Sequence, residues 1–189
     1  HWQMDQEQRL PVKDWVYESY EFAPPDLKRK KDEALIKALK RYLGPARFQW
    51  LCACSLYPYL YYELTLQLGQ QVLGKKMSLE AVGHLFRLPW FRQGKIPARE
   101  RILLQAGLDP AVARQSRAYL IELLKAKDNQ PPKDSFAKQE QRSTLALYEY
   151  LNSNQQAADL EKLRKAIGKR EPEDFEDSAI LAQLKNIGS

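Results

Sequence analysis

The run Arg47-Phe48-Gln49-Trp50-Leu51-Cys52-Ala53-Cys54-Ser55-Leu56-Tyr57 is apolar on nearly every side. A helix of that kind has no face to give to water, so it belongs at the centre of other helices. Pro58 ends it, and from Tyr59 to Leu73 a second apolar helix is expected, with Leu60, Leu64, Leu68 and Val72 at spacings of four. Upstream, residues 32–43 place Leu35, Ile36, Leu39, Tyr42 and Leu43 on one stripe, and Gly44-Pro45 stops it. Tyr57, Tyr59, Tyr61 and Tyr62 fall at helical spacing, which reads as core and rim rather than as a stacking platform for bases.

Gly74-Lys75-Lys76-Met77 breaks the pattern, and Ser78 is placed as the N-cap of a short helix whose Leu79, Val82 and Phe86 face inward. The segment from Leu85 to Pro97 then packs aromatic, basic, glycine and proline residues together, with Pro89 and Pro97 constraining the backbone at both ends. It is expected to form a presented turn or wing. Residues 98–107 form a helix closed by Gly107, and Asp109-Pro110 supplies the favoured N-cap and N1 residues of the next. The inner face of that helix is Val112, Ser116, Tyr119, Leu120, Leu123 and Leu124. Pro131-Pro132 punctuates the chain. Beyond it come a helix to about Asn152 carrying Thr144, Leu147, Tyr148 and Leu151, another carrying Ala157, Leu160, Leu163 and Ile167, and a last one at 177–187 behind the acidic stretch Glu171 to Asp177.

Strand signals are almost absent outside 88–97, so the expected class is all-α with one small β-ribbon. Three parts are expected: an extended aromatic and basic arm at 1–31, a winged-helix-like helical domain at 32–128, and a C-terminal helical subdomain at 129–189. Short helices followed by a glycine-tipped wing outline a winged helix. The segments Trp50 to Pro58, Glu63 to Gly69 and Leu88 to Pro97 resemble the winged-helix region of large prokaryotic STAND-type signalling and defence proteins, and Pro131 to Ala137 resembles the linker and helix that follow there. The resemblance spans about residues 32–152. It departs from the family pattern at Tyr62, where an acidic or other aromatic residue is usual, and at Lys95-Ile96-Pro97-Ala98-Arg99, which makes the wing more basic. It implies a regulatory module lying beside an effector or nucleotide-binding domain. No phosphate-binding G-x-x-x-x-G-K-[ST] loop occurs in the chain, so an ATPase would have to lie elsewhere.

Enzymatic chemistry has little support in these residues. G-x-S-x-G and H-E-x-x-H are absent, and His84 has no motif-supplied Ser or Cys partner. The carboxylates Glu171, Glu173, Asp174, Glu176 and Asp177 form a solvated run rather than a buried pair. Cys52 and Cys54 are two residues apart, about 200° around a helix, so they face apart and read as small buried hydrophobes. With His1 and His84 the only histidines, no zinc set can be assembled. No cofactor is expected.

The expected function is docking of a protein partner or adjacent effector domain through Trp90, Phe91, Arg92, Lys95 and Arg99, residue types that dominate interfaces. Trp90 and Phe91 have a second reading, in which they close the core under the wing. The rival class is nonspecific nucleic-acid binding, favoured by a net charge of +6 and a pI near 9.2. Its contacts would be Lys28, Arg29, Lys30, Lys31, Arg87, Arg92, Lys95 and Arg101. The expected recognition helix exposes Glu80, Gly83, His84 and Arg87, a thin set for reading base edges. No run approaches the ~18 apolar residues of a membrane span, no signal peptide is visible, and the cytoplasm is the expected compartment. Beginning at His1 and ending Ile187-Gly188-Ser189, the chain reads as an excerpt of a longer protein.

Overall fold

The computed structural model describes residues 25–126, 130–133 and 135–168, with 183, 184 and 187. The protein is all-α, with no strand among the described residues. It divides into two compact units, His1–Leu108 and Asp109–Ser189. The first contains α1 (Pro25–Cys54), α2 (Tyr62–Leu73), a 3-10 turn (Gly74–Lys76), α3 (Leu79–Phe86), α4 (Pro89–Gln93) and α5 (Ala98–Ala106). The second contains α6 (Pro110–Lys125), α7 (Phe136–Asn152) and α8 (Ala157–Ile167). The division falls at 108/109, whereas the proline punctuation had placed a boundary at 128/129.

Within α1 the backbone breaks at Gly44, whose φ of 75° and ψ of 168° leave the helical region for one that glycine alone enters cheaply. Pro45 then starts the second half, where its missing N–H costs nothing. The expected stop is therefore a kink between two helical segments. The first segment buries Leu35, Leu39 and Leu43, and the second buries Phe48, Trp50, Leu51, Cys52, Ala53 and Cys54. This second segment is the central helix that its all-round apolarity demands, packed by α2 and α5, with α3 also against α1.

The join between α1 and α2 is made by Trp50. Its indole Nε1 donates to the Thr65 carbonyl at 2.8 Å, and the ring lies so close to Gly69 that a Cβ there would stand 2.6 Å from Trp50 Cε2. At the far end of α1 the last carbonyls are satisfied from α5. Arg101 Nε donates to Ser55 O at 2.8 Å, Arg101 Nη2 to Leu56 O at 3.3 Å, and Gln105 Nε2 to Ser55 O at 2.8 Å. These bonds close a helix terminus that would otherwise bury unpaired acceptors.

Several expectations are corrected. The residues expected to form a β-ribbon at 88–97 instead form α4, closed by Gly94 in the left-handed region, and only a single antiparallel bridge joins Lys95 to Tyr59. Residues 25–31, expected in an extended arm, are the first turns of α1, while residues 1–24 lie outside the described residues. Leu79, expected inside, is 90% exposed; α3 buries Ala81 and Leu85 instead. Both triplets, 79/82/86 and 81/85/88, keep helical spacing, and the second one carries Leu88 into the core as well. The expected helix at 177–187 lies largely outside the described residues.

In the second unit the expected caps are in place. Asp109 Oδ1 accepts from the amides of Ala111 at 2.9 Å and Val112 at 3.2 Å, and Ser135 Oγ accepts from Lys138 N at 3.1 Å. Helix α7 packs on both α6 and α8. Its Ser143, Thr144, Leu147 and Tyr148 are buried, as are Ala113, Ser116, Leu120 and Leu124 of α6. Polar clips flank this apolar seam: Arg117 Nε to Asn152 Oδ1 at 2.7 Å, Asn152 Nδ2 to Arg114 O at 2.9 Å, and Lys125 to Glu149 at 2.5 Å.

The Trp50 contact yields a direct test. Gly69→Ala forces a methyl into a rigid, fully buried indole and is expected to lower unfolding free energy by about 2 kcal/mol, within the range for overpacked cores. Urea denaturation measures this, and an unchanged midpoint would contradict the contact.

Candidate interaction surface

The chain between α1 and α2 shapes the most distinctive surface of the protein. Pro58 prevents a helix from running through Tyr57 to Tyr61, and Tyr61 is extended at φ −78° and ψ 134° before α2 begins at Tyr62. In extended backbone, alternate side chains share a face. Tyr57, Tyr59 and Tyr61 accordingly pack together, with ring centroids 6.5 Å apart for 57–59, 6.2 Å for 57–61 and 6.2 Å for 59–61. Tyr62 begins a second chain of rings, 5.4 Å from Phe86, which lies 5.0 Å from Phe91. Tyr59, Tyr61 and Tyr62 are 47%, 58% and 60% exposed. They are not the core and rim that helical spacing had implied, because Tyr57 to Tyr61 are not helical.

Basic residues adjoin these rings through the backbone. Leu60 N donates to Gly94 O at 2.8 Å, and Tyr59 bridges to Lys95, so the α4–α5 turn is tied to the tyrosine segment. Lys95 and Arg92 are exposed. Burial, with Tyr61 and Tyr59 adding to it, holds the Tyr57 phenol above its ordinary range.

The other residues singled out from the sequence are placed differently. Trp90 is buried at 2% exposure and belongs to the core, while Phe91 is half-buried against Phe86. Arg99 pairs with Asp32 of α1. Arg101, expected among the phosphate contacts, is 3% exposed and serves as the carbonyl cap described above. Arg87 is exposed and hydrogen-bonds the Tyr42 phenol. Lys28, Arg29, Lys30 and Lys31 lie on the opening turns of α1. The structure thus ties Lys95 to the tyrosine segment, leaves Arg92 exposed on the adjoining α4, and gives Trp90, Arg99 and Arg101 internal work. Sequence reasoning missed Tyr59, Tyr61 and Tyr62; the available signal was the period-two pattern Tyr57-Pro58-Tyr59-Leu60-Tyr61.

Groups capable of chemistry are engaged in structure. Arg47 bonds His84 Nδ1 and reaches Glu80 Oε1 at 3.1 Å, and the Tyr42 hydroxyl donates to His84 O at 3.2 Å. This set fastens α3 to α1 and presents no nucleophile beside the imidazole. Burial pushes the Cys52 thiol up to about 12 and raises Cys54 as well, which leaves both as unreactive thiols. Among the described residues, no group of three His, Cys, Asp or Glu side chains is placed to hold a metal ion, and no helix is long and apolar enough to cross a membrane. An open groove in the second unit, lined by Ile121, Tyr150 and Lys162 among others, has its carboxylates committed: Glu149 to Lys125, and Asp159 to the Gln156 amide at 3.3 Å.

Comparison with models of protein families, with curated proteins and with solved structures finds no match to this chain.

Two variants probe the supports of this surface. Burial holds the Glu100 carboxyl above its ordinary range, against the lowering effects of a backbone hydrogen bond and Arg99. Ionised Glu100 therefore costs folded-state stability, fully so at pH above the raised value and not at all below the unfolded one. Glu100→Gln is expected to raise Tm at about pH 8 and to lose that advantage by about pH 4, where the unfolded carboxyl also begins to hold its proton. A Tm difference that is constant, or that grows on acidification, would contradict this. Arg101→Leu removes the guanidinium bonds to the Ser55 and Leu56 carbonyls and leaves Gln105 as a donor to Ser55 O; it is expected to cost about 1–3 kcal/mol by chemical denaturation, and a cost below about 0.5 kcal/mol, typical of surface changes, would refute the cap.

Proposed function

We propose that the first unit is a non-catalytic docking module that binds a partner protein, or a neighbouring effector domain, through the Tyr57/Tyr59/Tyr61 cluster with Tyr62, Arg92 and Lys95. The observation that carries this reading is the exposure of the tyrosines beside the basic α4–α5 turn. Tyrosine and arginine are the residues that contribute most where proteins meet, because each offers a large contact area together with a polar tip. The segment is held at both ends, by Pro58 and by the start of α2, so little order would have to be imposed on binding.

The ring geometry favours a protein over single-stranded nucleic acid at this surface. Bases stack on open aromatic faces, whereas the trio is tilted by 42–64° with each ring turned toward its neighbours. In the resemblance to STAND-type signalling and defence proteins, this surface would be where a winged-helix-like regulatory domain meets its effector or ATPase domain. The α4 turn and its bridge to Tyr59 would stand where the family has its wing. Trp90 and Arg99, first expected to touch the partner, would support the surface from within.

Affinity capture from source cells with wild type, Tyr59→Ser/Tyr61→Ser and Tyr59→Phe/Tyr61→Phe tests the reading. The serine pair is expected to lose at least ~90% of a partner that wild type retains, equivalent to the roughly 1.4 kcal/mol of a tenfold change in binding. The phenylalanine pair keeps most of it, and the melting temperature of all three stays the same because the positions are exposed. Equal recovery by the serine pair would overturn the proposal.

A further inference from the structure

We infer that the outer face of the first half of α1 is a nucleic-acid phosphate site, built from Lys30, Lys37, Lys40 and Arg41 with Arg29 at its edge. This does not rest on the docking role of the tyrosines. With Leu35, Leu39 and Leu43 buried, the 100° step of a helix turns residues 29, 30, 33, 34, 37, 40 and 41 outward within an arc of about 140°. Each of those positions is exposed. Of these seven residues all but Ala34 are charged, and Glu33, 3.9 Å from Arg29, is the acid among them. Asp32 points off the arc, where it pairs with Arg99 of α5. Lys40 lies over the Phe48 ring, 5.2 Å from its centroid.

Arg29 pairs with Glu33 at i+4, but the cations that follow crowd one another on the same face. Lys37 meets Lys40 and Arg41 at i+3 and i+4, where like charges repel and lower helix stability. A run of like charges along one helix face breaks a local rule, and such places are where function is to be sought. From Lys30 to Arg41 the ridge runs roughly 16 Å along the axis, and a nucleic-acid duplex offers one phosphate charge per ~1.7 Å.

The chemistry separates nucleic acid from the other polyanionic partners. An anionic membrane would hold a basic helix by inserting its apolar face, and the apolar face of α1 is already spent on the core. A protein partner would need aromatic or aliphatic anchors, and protein interfaces are depleted in lysine; the arc offers no anchor larger than Ala34. Lysine and arginine alone, without base-reading groups, fit contacts to the phosphate backbone that ignore sequence.

The test is fluorescence anisotropy with the full chain and a labelled 20-base-pair DNA duplex, its RNA counterpart, and phosphatidylserine vesicles. Wild type is expected to bind both duplexes irrespective of sequence, with a log–log salt slope of roughly −3 or steeper, since each neutralised phosphate contributes about −0.9. Lys37→Glu/Arg41→Glu should weaken binding at least tenfold and flatten the slope. Lys37→Arg/Arg41→Lys should keep both, and Tyr59→Ser/Tyr61→Ser should leave them unchanged. Should the charge reversal disturb folding, seen in its circular-dichroism melt, the milder Lys30→Ala/Lys37→Ala/Arg41→Ala variant reads the same loss. Absence of salt-dependent duplex binding, full binding by the reversed or alanine variant, or binding to vesicles without binding to duplexes would each overturn the assignment.

Discussion

The first unit depends on one indole. Trp50 fills the space that Gly69 leaves by having no side chain, and it spends its only polar atom on the Thr65 carbonyl. A buried tryptophan is tolerated only where its N–H finds an acceptor, and α2 can come close enough to provide one only because of the glycine. The height at which α2 crosses α1 follows, and with it the position of the chain that must return from Ser55 to Tyr62. Pro58 and the tyrosine segment occupy that return. The surface that carries the tyrosines is therefore a consequence of how tightly two helices pack beneath it.

What could be read from the sequence was whatever depends on neighbours along the chain. The all-round apolarity of Phe48 to Leu56 implied a central helix, and Ser78, Asp109-Pro110 and Ser135 marked helix starts that the backbone adopts, because a cap is a bond between residues two or three apart. The errors came where two local patterns fitted equally well. In α3 the larger residues Leu79, Val82 and Phe86 kept helical spacing, yet Ala81 and Leu85 face α1, because close packing there favours a small residue over a bulky one. At Tyr57 to Tyr62 the residues suit a helix at one spacing and an extended strip at another, and the proline between them decides for the strip. The turn at Leu88 to Pro97 read as a ribbon because proline and glycine punctuate both ribbons and very short helices.

Charge shows the same limit more sharply. A net charge of +6 counts every arginine alike, but the fold gives them different tasks. Arg101 is drawn into the core to satisfy two carbonyls, Arg99 fastens α5 to α1 through Asp32, and Arg47 joins α3 to α1 through His84 and Glu80. Guanidinium suits such work because its donors fan out in a plane and it is weakly hydrated for a cation. Lysine, compact and strongly hydrated, is left mostly on the surface. The sorting could not be read from the sequence, since each assignment pairs residues dozens of positions apart.

This sorting also explains why the two faces of the first unit differ in kind. Where arginine is consumed internally, its charge is lost to the surface, and by the tyrosine segment the α4–α5 turn presents the exposed Lys95, with Arg92 exposed on α4. On α1 the helix turns its leucines inward, so every charged residue of the opposite arc must face water. One surface thus combines aromatic area with sparse charge, the combination that gains from excluding water. The other is charge with almost no apolar area, and its attraction falls as salt screens it. On the two readings proposed above, a partner suited to the first surface would gain little at the second, because neither draws on the other's residues.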